Sequence, residues 1–148
     1  MGHSSGAHLV SIAGTSETLL GRADLGFDDL RCVVSLDSVT HDLTDPPPWE
    51  VDIIELAFPT QADRVTGSPT LQVAEASTPP PAFLIITRGR PERLESSDRL
   101  AAAIRSVGGD AVVADVSPYD HAQVSTQLGI SGESIVTPVV DAFLDDCR

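Results

Sequence analysis

Hydrophobic residues in this chain gather into short unbroken runs instead of alternating with polar ones, the pattern of strands buried on both faces of a parallel sheet. Three such runs are predicted as strands: 30–36 around Cys32-Val33-Val34, 82–87 around Phe83-Leu84-Ile85-Ile86, and 111–116 around Ala111-Val112-Val113-Ala114. Asp37-Ser38 ends the first and Ser117-Pro118 the third. Between the second and third, Leu94, Leu100, Ala101, Ile104 and Val107 keep one helical face apolar, and Gly108-Gly109 supplies a stop. This is a βαβ unit, whose right-handed crossover puts both strands in one sheet with their C-terminal ends on the same edge. A last helix is predicted to begin near Thr137-Pro138 and to bury Val139, Val140, Phe143 and Leu144, with Asp141, Asp145 and Asp146 facing water.

Two further segments differ in character. Ala7-His8-Leu9-Val10-Ser11-Ile12-Ala13 carries apolar residues at 9, 10, 12 and 13, which suits a helix lying on a sheet. Residues 41–81 are bounded by Pro46-Pro47-Pro48 and Pro79-Pro80-Pro81, stiff hinges that continue neither a helix nor a central strand. Short helices at 49–58 and 71–76 are predicted there, over the sheet edge. The segment reads either as a substrate-shaping insertion or as a plain packing excursion.

Composition narrows the class. With 148 residues, 41% hydrophobic and 21% charged, the chain reads as one soluble globular domain. A formal charge of −13 repels nucleic-acid phosphates and anionic membranes, so neither is expected as a partner. No apolar run approaches a membrane span and the N-terminus lacks the regions of a signal peptide, which gives a cytoplasmic reading. Cys32 and Cys147 show no metal or disulfide spacing and read as free thiols.

The candidate chemistry lies at the start, where Gly2-His3-Ser4-Ser5-Gly6 reads G-x-S-x-G, the pattern of a nucleophilic serine on a sharp strand-to-helix turn. Gly2 and Gly6 would let the backbone turn tightly. A flexible Gly/Ser-rich terminus, with Ser4 at most a helix cap, is the plainer alternative. Because only Met1 precedes the motif, no strand is expected ahead of it. The chain then starts in mid-domain, either through an internally assigned start codon or as the remnant of a longer gene.

Four stretches taken in order resemble the C-terminal half of an α/β-hydrolase, in the esterase branch that includes carboxylesterases and kynurenine formamidase-like enzymes. They are Gly2-His3-Ser4-Ser5-Gly6-Ala7-His8-Leu9, Leu36-Asp37-Ser38-Val39-Thr40-His41-Asp42-Leu43, Pro81-Ala82-Phe83-Leu84-Ile85-Ile86 and Asp120-His121, and their order and spacing match along essentially the whole chain. The resemblance implies a partial α/β-hydrolase fold of about three parallel strands with flanking helices, the N-terminal half of the sheet being absent. Residues 1–40 would hold the elbow, helix and strand, 41–81 the insertion, and 82–148 the C-terminal βαβα part with the histidine loop. It also implies the order serine, acid, histidine, with the acid after the Phe83 strand and the histidine after the Val113 strand.

Ser4 is then the nucleophile and His121 the general base. The backbone N–H of Ser5 is one oxyanion donor, and the second would come from an earlier strand that this chain lacks. At the acid's place the loop reads Thr87-Arg88-Gly89-Arg90-Pro91-Glu92-Arg93-Leu94, where Gly89 offers no carboxylate. Glu92 is the chosen acid, with Asp37 or Asp42 as alternatives. His8, directed along the sheet, His3, at the motif's variable site, and His41 have weaker claims.

The reaction expected is cleavage of a small carboxylic ester or amide with a neutral or apolar acyl group. It runs through an acyl-enzyme without metal or organic cofactor, and is impaired in so short a chain. The competing reading is a non-catalytic remnant that binds a partner, or assembles as an oligomer, through its open sheet edge. A third, an anion site in a nucleotide-binding domain, lacks a strand before the turn and a lysine after it.

Overall fold

The computed structural model describes residues 1–147 and is an α/β structure built on one four-stranded, all-parallel sheet. Its strands are β1 (Gly2–His3), β2 (Cys32–Leu36), β3 (Ala82–Thr87) and β4 (Ala111–Asp115), lying side by side in chain order. Register is continuous across the sheet: Gly2 faces Ser35, Val33 faces Phe83 and Ile85 faces Val113. The sheet thus has four strands where about three were expected, and a strand does precede Ser4. Two residues suffice for it, because Ser4 N–H extends the ladder by donating to Leu36 O at 3.0 Å.

Strand side chains alternate between two cores. Val33, Phe83 and Ile85 meet Val73, Leu100, Ala101 and Ile104 on one face, while Val34, Leu36, Leu84 and Ile86 meet Val116, Val124, Val136 and Val140 on the other. Helices α1 (Ser5–Thr15) and α6 (Pro91–Ser106) cover the first face, and α7 (His121–Thr126) and α8 (Val136–Asp146) the second. Apolar runs rather than alternation are what such a two-sided sheet requires.

The helix predicted between the last two strands begins at Pro91 and buries Arg93, Ser97, Leu100, Ala101 and Ile104. Arg93 leads that face where Leu94 was expected, for a reason that lies in the site. In the middle segment the helices are α3 (Val51–Ala57), α4 (Gln61–Thr66) and α5 (Pro69–Gln72), followed by a 3₁₀ turn at Val73–Glu75. The short α2 (Glu17–Gly21) follows α1.

Helix α1 approaches the sheet closely because Gly14 has no side chain: a Cβ there would stand 2.6 Å from both Phe83 Cζ and Val33 Cγ2. Gly14→Ala is expected to cost about 1–3 kcal/mol by overpacking, read as a lowered urea midpoint with an unchanged denaturant slope.

The cysteines depart from expectation. Cys32, opening β2, and Cys147, just past α8, form a disulfide across a sequence separation of 115. Spacing could not announce it, since only the fold brings the C-terminal helix back to the start of a central strand. Such bridges persist in oxidising surroundings and are rare in the cytosol, which sets this one against the cytoplasmic expectation. Among the described residues no helix is long and apolar enough to cross a membrane.

Candidate active site

Three loops at the C-terminal ends of the strands meet over one cavity of about 500 Å³. The first is the turn at Ser4. Its N–H continues the sheet while its C=O accepts from Ala7 N at 2.9 Å and His8 N at 3.2 Å, so the residue is pinned between β1 and α1. Both requirements are met only with φ 57° and ψ −122°, a conformation L-residues avoid. The turn closes on Gly2, where a Cβ would lie 2.1 Å from Gly6 O. Ser4 Oγ makes no cap hydrogen bond to the helix, which leaves the capping alternative without its defining contact. Ser5 opens α1 and borders the cavity, with its N–H among the helix's unclaimed first donors.

The second loop follows β2. Asp37 N–H donates to Ile86 O at 2.8 Å, and φ is 54°, again left-handed. Its side chain is fully buried, and three groups converge on the carboxylate. His121 Nδ1 lies 2.6 Å from Oδ2, and Arg93 Nη1 lies 3.2 Å from Oδ1. Arg88 Nε stands 2.8 Å from Oδ2 but off the axis of its N–H, an ionic contact rather than a hydrogen bond. Arg93 Nη1 also donates to the Asp37 carbonyl at 3.4 Å, which is why an arginine heads the buried face of α6.

The third loop follows β4 and brings His121 in as the first residue of α7, capped by Asp120, whose side chain accepts from Gln123 N–H. A carboxylate can only accept, so Nδ1 of His121 carries a proton, and in the neutral ring Nε2 is the nitrogen with the lone pair. His3 holds this histidine from below. Its Nε2–H donates to His121 O at 2.7 Å, and the two rings lie 4.4 Å apart. Ser4 and His121 border the same cavity with no hydrogen bond between them, as is common before substrate binds.

Glu92, the acid chosen from sequence, is exposed on the first turn of α6. It borders a separate hollow with Asp42, Asp45, Glu95 and Arg99, so the carboxylate at His121 is that of Asp37. Asp42 is taken by Arg99 at 2.8 Å and by Thr44. Gly89 could hold no acid in any case. Its φ is 69°, and a Cβ would meet Ser117 Oγ at 2.5 Å and Asp115 Oδ2 at 2.6 Å.

The remaining histidines are internal. His8 donates from Nδ1 to Thr40 O at 2.8 Å, lies beside the Phe58 ring and borders the cavity. Burial lowers its pKa against the pull of that hydrogen bond. His41 is fully buried, and desolvation, helped by the neighbouring His8, takes it down to about 4. Below pH 6.5 the unfolded chain therefore takes up a proton at His41 that the folded chain refuses. Stability is expected to be full above pH 6.5 and to fall by roughly 3 kcal/mol as pH approaches 4, measured as urea midpoints across that range and flattened in His41→Gln.

Comparison with protein-family models, with curated proteins and with solved structures finds no match to this chain. The chemistry therefore rests on its own geometry. Among the described residues no group of three or more His, Cys, Asp and Glu side chains is arranged to hold a metal ion.

Leu9, Val39, Leu43, Ile53, Ile54 and Phe58 give the cavity a largely apolar wall, with Ser38, Thr40 and Glu50 also on its border. A serine on a strained turn and a histidine in contact with a buried carboxylate, both bordering one cavity, are side chains of the types that nucleophilic acyl transfer uses. From sequence Asp37 is only an alternative to Glu92, an acid at an earlier strand's C-terminal end. Arg88 and Arg93, which fix it, gave no signal in the sequence.

Proposed function

We propose that this chain is a serine hydrolase of carboxylic esters on a partial α/β-hydrolase fold, with Ser4 as nucleophile, His121 as general base and Asp37 as the group that orients the imidazole. The observation that carries the reading is the 2.6 Å contact from His121 Nδ1 to the buried Asp37, at the cavity that the strained Ser4 also borders.

In this mechanism Ser4 Oγ attacks the carbonyl carbon while its proton passes to His121 Nε2. The tetrahedral oxyanion develops near the Ser5 N–H at the start of α1, where the helix dipole also favours negative charge. Collapse breaks the bond to the leaving oxygen, which departs as the alcohol with the proton from Nε2. Water then attacks the acyl-serine, giving its proton to Nε2, and the acid leaves as Ser4 recovers its hydrogen. Asp37 stays ionised throughout and supports the imidazolium.

A fluorophosphonate probe tests this directly. The intact chain should gain the mass of one phosphonyl group, mapped to the peptide carrying Ser4. Absence of any adduct under conditions that label a reference esterase would remove the reading and leave the binding alternative.

A further inference from the structure

We propose, resting on the ester-hydrolase reading, that α3 is the wall that measures the acyl group and that the substrate carries a neutral, medium-length aliphatic acyl chain. Three observations converge. Several of the polar side chains that border the cavity away from the reacting groups already have partners within the protein. Ser38 Oγ and Thr40 Oγ1 bond each other at 3.0 Å, His8 Nδ1–H is given to Thr40 O, and Arg93 Nη1 is given to Asp37. A site built to read a polar acyl group would leave more of these donors uncommitted.

Charge points the same way. Glu50 stands at the start of α3 on the cavity border, close enough to Arg93 for their charges to interact, so a substrate carboxylate would meet a negative group, while Arg93 on the same border is already paired with Asp37. An anionic acyl group is therefore disfavoured twice, by repulsion and by desolvation.

The third observation is apolar surface left bare beside the reacting groups. Leu9 and Ile53 are 65% and 61% exposed, yet both border the cavity. Large aliphatic side chains grouped at a cleft mark surface that a ligand covers. Ile53, Ile54 and Ala57 present one face of α3 to the cavity, whereas Leu56, 84% exposed, lies off it. Of the seven residues of α3 only Ile54 is buried, so this wall adjusts without disturbing the sheet. Ala57 is the smallest group on that face, so a larger side chain there would narrow the cavity.

The test is Ser4-dependent hydrolysis of p-nitrophenyl acetate, butyrate, hexanoate and octanoate by the full chain. The hexanoate-to-acetate ratio of kcat/KM should be about tenfold or more, since each methylene seated in an apolar pocket contributes to discrimination. Ala57→Trp, which fills the cleft, and Ile53→Ser, which removes apolar wall, should each lower that ratio about tenfold. Leu56→Ser, off the cavity, should leave it unchanged. Circular dichroism verifies that each variant is folded. A flat chain-length profile with Ser4-dependent turnover would overturn this inference alone, as would an unchanged ratio in both wall variants or an equal fall in Leu56→Ser. Loss of all Ser4-dependent turnover in the unmodified chain would instead overturn the hydrolase reading beneath it.

Discussion

Ser4→Ala is expected to abolish fluorophosphonate labelling and to lower kcat on an activated short-chain ester by about 10⁴–10⁶, the scale on which nucleophile deletions act in serine hydrolases. The substitution is clean for a structural reason. Ser4 Oγ makes no cap hydrogen bond, and the backbone bonds to Leu36, Ala7 and His8 do not involve the side chain. Thermal unfolding should therefore be nearly superimposable on that of the unmodified protein, so lost activity cannot be ascribed to lost structure. A variant that retains more than about a tenth of the turnover would mean that another group attacks the ester.

The second large effect is at Asp37. Asn is the replacement of choice because it keeps the shape and tolerates the left-handed backbone at φ 54°. It removes the charge from under His121 and reverses the hydrogen-bonding demand at Nδ1, and neutralising such an acid costs about 10⁴ in kcat. It also strips Arg88 and Arg93, whose side chains are 15% and 10% exposed, of their counter-ion. A loss of about 3–5 kcal/mol of stability is expected in the same variant. Both are measurable on one preparation, by steady-state turnover at 25 °C and by urea unfolding. Glu92→Gln serves as the comparison, since that carboxylate lies in the other hollow; a large loss there with little effect at Asp37 would reverse the assignment.

Much of the scaffold was legible because two-faced burial leaves a plain record. Phe83-Leu84-Ile85-Ile86 can only be a strand covered on both sides, and the apolar face of α6 with Gly108-Gly109 behind it fixes the crossover. What escaped detection depends on tertiary geometry. β1 is two residues long and exists through pairing with β2, not through propensity. Arg93 looks like part of a charged helix surface until Asp37 is seen beneath it. A carboxylate partner for His121 was sought first after β3, with Asp37 as an alternative, and the one that contacts it follows β2; beside Gly89 the space is filled by Asp115 and Ser117. Cys32 and Cys147 meet only because α8 folds back along the sheet.

Among the described residues only three non-glycine ones have positive φ, namely Ser4, Asp24 and Asp37, and two of them border the cavity. Holding a serine in such a conformation costs on the order of 1–3 kcal/mol, which glycine would recover at no steric cost. Ser4→Gly should therefore melt at a higher temperature than the parent while being inert. Directed evolution of this protein for heat resistance alone would reward the very exchange that disarms it, so any such screen has to read turnover alongside survival.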